Sequence, residues 1–410
     1  MEHFIALALK NVFRQKKRSF TLGVNYTIVT LILTLLFAFS QGAKLNIFDS
    51  LTRASAGHIT ISGRFAQGGR IYGGIQRTGD IIEIAKATLG KDALILPRYQ
   101  VQSALYFGRL SKRLSFVGLD TKIDDSFKNQ LKFLKGNWQA YVDDPNGLVV
   151  PRTTADYFGF VEGDEVVIST RTRFGAFNTG IMKIRGIYET DNYFAQSLMF
   201  THFEFLRSLD LAEGDASTSL YIYLPSTDNL AAKRDTLSQA LQSGGFEPSK
   251  PKDNSEAIAA VSAASTKYEQ DKEGRDRVML KLTTINEALG IVATVITAIN
   301  AVGMLIAVIM LFIIAVSIFI NLKMSISERL SEIGTMRAMG VDSSGVTSLF
   351  VFENVLLALI FSLIGALLGI LISVLFRYAI VLPAGGNIGL FLNAGHLVLV
   401  PRITLSLIHI

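Results

Sequence analysis

The chain has no cysteine among its 410 residues, so neither disulfides nor thiolate chemistry is available and no cysteine can carry a lipid. It also lacks a G-x-x-x-x-G-K-[ST] phosphate loop, an H-E-x-x-H pair and a G-x-S-x-G nucleophile elbow. Histidine is scarce. The five present (His3, His58, His202, His396 and His409) have no close metal-ligand spacing, and His58 and His202 read as surface or packing residues. No catalytic group and no resident cofactor is expected. Charge is missing as well, over three long stretches: 19–43, 288–322 and 354–376, of 25, 35 and 23 residues.

These stretches set the class. About 20 helical residues cross a hydrocarbon core roughly 30 Å thick, so each run is long enough to span a membrane. Half of all residues are hydrophobic, and three such runs in one chain make a large soluble protein a poor account. The second run exceeds one crossing by about ten residues and should extend beyond the lipid as a helical stalk. The first exceeds the roughly 7–15 apolar residues of a signal peptide, and Ala38-Phe39-Ser40 is a poor cleavage site, so it reads as an anchor. The net charge of +6 does not point to nucleic acid, because five cations crowd 10–18, where the positive-inside bias explains them.

That bias fixes an expected order. Residues 1–18 form a basic cytoplasmic amphipathic segment, with Phe4, Leu7, Ala8, Asn11 and Val12 near one face. Span one (19–43) leads to an external domain (44–265) and a stalk (266–287). Span two (288–322) returns the chain to a cytoplasmic helix and loop (323–345). Span three (346–376) leads to an outer loop (377–401), and 402–410 read as the first turns of a fourth span that is cut short.

The external segment reads as α+β. Alternating or apolar strands are expected at 58–62, 93–101, 114–119, 166–169, 182–188 and 219–224, and helices at 81–89, 154–158, 201–209 and 229–243. Residues 256–289 have helical composition, and the charges crowding 267–277 suit a wetted stalk. Arg64 and Arg70 sit in a glycine-rich stretch read as a mobile loop able to meet an anionic headgroup. Trp138 and Tyr141, beside Asp143, Asp144 and Pro145, are candidate contacts for an external partner, with local packing as the plainer reading.

The segment after span two carries the best-specified signal. Ser325-x-x-Glu328 has capping-box form, and Gly340 can end the helix that follows. Ile326, Leu330, Ile333 and Arg337 fall on one stripe with Met336 and Met339 beside it, while Glu328 and Glu332 share another face with Arg329 between them. This is either an interfacial linker helix or a docking helix whose apolar stripe enters a groove on a nucleotide-binding subunit. Asp342-Ser343-Ser344 starts the next helix. Within the spans, Gly365-x-x-x-Gly369, Gly290 and Gly303 permit close helix packing, and Asn25, Asn286 and Asn300 are candidate interface hydrogen-bonders. Glu353 reads as a headgroup-level residue.

Three sequence stretches then resemble a known family. They are Leu7-Ala8-Leu9-Lys10-Asn11-Val12-Phe13-Arg14-Gln15-Lys16-Lys17-Arg18, Gly57-His58-Ile59 and, most specific, Glu328-Arg329-Leu330-Ser331-Glu332-Ile333-Gly334-Thr335-Met336-Arg337-Ala338-Met339-Gly340. In these the chain resembles the FtsX/MacB-type permease superfamily of ABC transporters, with greatest similarity to lipoprotein-releasing permeases of the LolC/LolE kind. The resemblance implies an α-helical transmembrane permease with a large α+β periplasmic domain between spans one and two, in a bacterial inner membrane. It implies dimerisation with a second copy or a paralogue, and a separate cytoplasmic ABC ATPase dimer that holds ATP and Mg. Segment 328–340 would be the coupling element. Lipoprotein or other lipid-linked cargo, a periplasmic chaperone or adaptor, and membrane lipids would be the remaining partners. Related branches serve efflux with an adaptor, or act as envelope scaffolds regulating cell-wall hydrolases. The chain departs from the family pattern in lacking a complete fourth span and basic tail.

Overall fold

Leu280 and Leu282 are buried while their neighbours Met279 and Lys281 are half-exposed, an alternation of period two that makes 277–284 a strand. This strand lies in a soluble unit, 47–293, distinct from a membrane unit formed by Met1–Asn46 and Thr294–Ile410. The computed structural model describes residues 16–253, 255–256, 269–270, 276–328, 330–338, 342–381, 392–393, 396–397 and 399–400. Among them the helices are α1 (Lys16–Leu51), α2 (Thr78–Leu89), α3 (Trp138–Asp143), α4 (Arg152–Phe158), α5 (Phe203–Leu209), α6 (Leu230–Ser243), α7 (Ile285–Ala288), α8 (Gly290–Glu328), α9 (Leu330–Ala338) and α10 (Ser343–Tyr378). The strands of the soluble unit are β1 (Ile59–Gln67), β2 (Arg70–Gly73), β3 (Ile75–Gln76), β4 (Leu94–Phe107), β5 (Leu110–Leu119), β6 (Lys132–Gly136), β7 (Gly147–Pro151), β8 (Glu165–Arg171), β9 (Phe177–Glu189), β10 (Leu198–His202), β11 (Ala216–Ser217), β12 (Ser219–Tyr223), β13 (Glu247–Ser249), β14 (Glu269–Gln270) and β15 (Arg277–Thr284).

The soluble unit has two lobes sharing the long strand β4. In one lobe, β13, β15, β1, β12 and the first half of β4 lie side by side, with β1 antiparallel to β15 from Ile59↔Thr284 to Ala66↔Arg277. Helices α2 and α6 pack on each other, burying Ile81, Leu237 and Leu241. In the other lobe the pairings β4–β5–β10–β7–β9–β8 return to β4 through Ala104↔Ser169, Leu105↔Ile168 and Tyr106↔Val167, closing a six-stranded ring. One face of that ring buries Tyr99, Leu105, Phe116, Leu148, Met182 and Met199, together with Ala155 and Phe158 of α4 and Leu206 of α5. The other face builds a second core from Val117, Leu119, Phe127, Tyr141, Tyr188 and Phe200. Each such side chain, fully buried, contributes roughly 1.5–3 kcal/mol.

Among the described residues, three helices are long and apolar enough to cross a membrane: Gly23–Ala54, Thr297–Ile320 and Val351–Tyr378. Within the membrane unit α1 and α10 pack closely. A Cβ at Gly365 would lie 2.5 Å from the Thr27 carbonyl oxygen, one at Gly369 would lie 2.9 Å from Thr34 Cβ, and Thr27 Oγ1 donates to the Phe361 carbonyl at 3.1 Å. Helix α8 meets α1 as well. Gly303 faces Leu36 with no room for a Cβ, Ser40 Oγ donates to Asn300 Oδ1, and Asn25 Nδ2 donates to Ser317 Oγ at 3.4 Å. Gly290 opens α8, and Asn286, the remaining candidate at a helix interface, is exposed in α7.

Four expectations change. Where a helical stalk is expected over 266–287, the described residues form strands β14 and β15 followed by the short α7, because in β15 period-two burial outweighs a charge-rich composition that resembles a helix surface. The glycine-rich stretch is a β-hairpin. Gly68 and Gly69 have φ of 57° and 76°, the two left-handed residues of a tight turn, and Arg64 pairs with Gly73 and Gln67 with Arg70. The helix expected at 201–209 begins at Phe203, since Thr201 and His202 complete β10. Ser325 lies inside α8 and does not start a helix. The basic segment 1–15, most of the outer loop and the fourth-span residues 402–410 lie outside the described residues.

Candidate functional site

The segment after span two is helical through α8 to Glu328 and again from Leu330 to Ala338. Ile326 and Leu330 are one helical repeat of four apart and stand 45% and 63% exposed, with Ile333 half-buried on the same stripe. Gly334 has open space where a Cβ would be. Glu328, Glu332, Met336 and Arg337 have helical backbone, while Arg329, Met339 and Gly340 lie outside the described residues. The following helix starts at Ser343, and Ser344 Oγ donates to Asp342 Oδ2 at 2.7 Å, a local start signal. Ile326 at the end of α8 and Leu330 at the start of α9 thus both present large apolar side chains outward. Glu353, expected at headgroup level, is 5% exposed within α10.

In the soluble unit the four candidate contacts separate. Arg64 and Arg70 are exposed on the β1–β2 hairpin. Trp138 is half-buried against the outer core of the ring. Tyr141 is fully buried, its hydroxyl donating to the Thr201 carbonyl at 2.7 Å and its carbonyl 2.8 Å from His202 Nε2, so it serves the core and is closed to a partner. His58 Nδ1 accepts the Leu224 amide at 2.9 Å, which places its proton on Nε2, and burial, with Lys233 adding to it, holds the imidazole below its ordinary value.

Three charged clusters went unread in the sequence because their members are far apart along it. Arg98 and Asp124 form an ion pair with both side chains at 0% exposure, Nε to Oδ2 at 2.8 Å, with the guanidinium also over the rings of Phe127 and Tyr221. Arg173 pairs with Asp210 at 3.0 Å, and the Tyr99 hydroxyl bonds to the same carboxylate. Burial, followed by Asp210, pushes the Tyr99 hydroxyl upward, so it remains a donor. Arg234 of α6 is buried and reaches Glu287, the residue that also completes a capping box with Thr284 at the start of α7. The signal available for the last was Thr284-x-x-Glu287 itself, a capping-box spelling ahead of the long apolar run.

Comparison with known families bears on the C-terminal part of the membrane unit. Residues 304–408 match the model of the FtsX-like permease C-terminal domain, a stretch that takes in α9, α10 and most of α8. No curated protein matches the sequence. Among solved structures, the chain is similar to the extracellular domain of the noncanonic ABC-type transporter YknZ from Gram-positive bacteria, at 11% identity and a TM-score of 0.30, over 45% of this chain and 94% of that one. It is similar to the periplasmic region of MacB from Actinobacillus actinomycetemcomitans at 13% identity and a TM-score of 0.31, over 48% and 88%. A permease-protein domain from Porphyromonas gingivalis is similar at 13% identity and a TM-score of 0.30, over 55% and 87%.

Proposed function

We propose that this chain is the permease subunit of an ABC transporter in which a separate cytoplasmic ATPase dimer, holding ATP and Mg, drives motion of the soluble unit. In this reading the soluble unit stands in the periplasm, the permease sits in a bacterial inner membrane paired with a second copy or a paralogue, and the moved cargo is a lipoprotein or another lipid-linked molecule. The observation that carries it is the FtsX-like match over 304–408 falling on a helical segment whose Ile326 and Leu330 are turned outward. An apolar stripe beside Glu328, Glu332 and Arg337 is the chemistry a groove on an ATPase would take, and nearly unbroken helix from Gly290 to Ala338 would carry its displacement. The chain itself would hold no nucleotide and perform no catalysis.

Gentle purification of the chain from native membranes, followed by identification of the proteins and lipids retained, tests this reading. An ABC ATPase and an acylated protein are expected together. An ATPase with a soluble adaptor and no acylated cargo would transfer the proposal to efflux, and a cell-wall hydrolase would transfer it to envelope signalling. Recovery without any ATPase would overturn it.

A further inference from the structure

The soluble unit includes the end of α1 from Ile47 and the start of α8 up to Ala293, and within it a buried arginine holds the chain just after α1 and just before α8. After α1 the backbone makes one π-helical turn, Thr52–Ala56, before β1. Arg98 Nη1 donates to the Ala54 carbonyl in that turn at 3.3 Å, while its Nη2 donates to Ser126 Oγ at 2.8 Å and its Nε holds Asp124. One turn earlier, Asn192 Nδ2 donates to the Ser50 carbonyl at 2.9 Å. A cation and an amide therefore meet the carbonyl end of the helix, where the helix dipole is negative. Arg98 itself lies on β4, the strand common to both lobes.

Before α8 there is hardly any linker. Thr284 is both the last residue of β15 and the N-cap of α7, with its Oγ1 facing the Glu287 amide at 3.4 Å and Glu287 Oε2 accepting the Thr284 amide at 2.8 Å. The other oxygen of Glu287 pairs with Arg234 of α6. Arg234 is held in turn by Asp235 at 2.7 Å, and Asp235 by Lys250 at 2.8 Å. One carboxylate thus satisfies the cap and ties it to a helix packed on the sheet.

We propose that Arg98 and Arg234 are positioning residues that fix the turn after α1 and the short α7 before α8 to the sheet of the soluble unit. Displacement of α1 and α8 then moves the sheet and is not lost at a loose junction. This rests on the permease reading above and names the residues through which its motion would enter the soluble unit. The two functions of Glu287 can be separated: Glu287→Gln keeps an oxygen for the cap but removes the charge that Arg234 requires, and Arg234→Met removes the cation and leaves the cap whole.

The test uses the full chain with its ATPase in lipid nanodiscs. A spin label is placed on Phe177→Cys, which is 78% exposed in a cysteine-free chain, and the label-to-label distance between two copies is followed with and without ATP. Glu287→Gln and Arg234→Met should both retain the bound ATPase and its hydrolysis yet lose most of the ATP-driven distance change. A Glu287→Gln protein that moves like wild type would overturn the anchor, because capping alone would then suffice. If wild type itself shows no ATP-driven change, the mechanical reading of function fails, and hydrogen exchange of the chain alone judges the anchor. Exchange at the amides of 285–289 that is about tenfold faster in both variants, with β4 and β9 unchanged, supports it, and unaltered exchange refutes it.

Discussion

Arg98 carries its charge where no water reaches it, and its worth depends on completeness. The guanidinium has Asp124, Ser126, the Ala54 carbonyl and two aromatic faces as partners. A buried pair of this kind adds little over a well-packed apolar pair, but removal of one member strands the other at a cost of about 3–5 kcal/mol. Asp124→Ala should therefore lower the urea stability of the soluble unit by about that amount, whereas an Arg152→Ala change at the exposed, solvent-screened Arg152–Glu189 pair should leave it nearly unchanged. His58 gives a pH signature. Its folded pKa is below that of the unfolded chain, so the unfolded state binds more protons between the two values. The stability it provides is complete above the ordinary imidazole value of about 6.5 and is lost as pH falls through the folded value. Urea midpoints at pH 7.5 and 5.5 should differ more in wild type than in His58→Asn, whose Oδ1 can still accept the Leu224 amide.

The elements differ in how plainly they could be read. The stretches 93–101, 114–119, 166–169 and 182–188, legible as alternating or apolar runs, fall almost wholly within β4, β5, β8 and β9, each of which runs further than expected. Strand β15 was hidden because Arg277 and Lys281 sit among charges that look like a helix surface, and only its pairing with β1 reveals which residues turn inward. That pairing makes a direct prediction. Leu280→Ala and Leu282→Ala should each cost about 2–5 kcal/mol in urea unfolding, and Lys281→Ala much less, whereas a solvated helical stalk would show no such alternation. The glycine pair was legible as a packing motif, but its partner was not, since nothing in Gly365-x-x-x-Gly369 names Thr27 or Thr34. Gly365→Val should overpack the α1–α10 contact and lower the thermal stability of the helices in detergent by about 1–3 kcal/mol. A Val at Gly334, which faces open space, should leave that contact's share of stability untouched.

At the scale of the molecule, two units with opposite demands share one chain. The soluble unit satisfies its charges in buried clusters, and the membrane unit turns apolar side chains such as Phe312 and Phe319, each 69% exposed, toward its surroundings. Composition made that division legible because uncharged runs longer than a bilayer crossing have few other uses. Convergence of distant residues was not legible: Arg98 and Asp124, or Arg234 and Glu287, meet only after the sheet has formed. The candidate coupling stripe was read from helical spacing alone, and Ile326 and Leu330 stand exposed on it. The central claim is that this stripe couples the chain to an ATPase, and ATP turnover by the complex in lipid vesicles tests it most directly. Leu330→Asp and Ile333→Asp should each abolish the permease-dependent part of that turnover while leaving the soluble unit's urea midpoint unchanged. Turnover and complex formation equal to wild type in both variants would contradict the account.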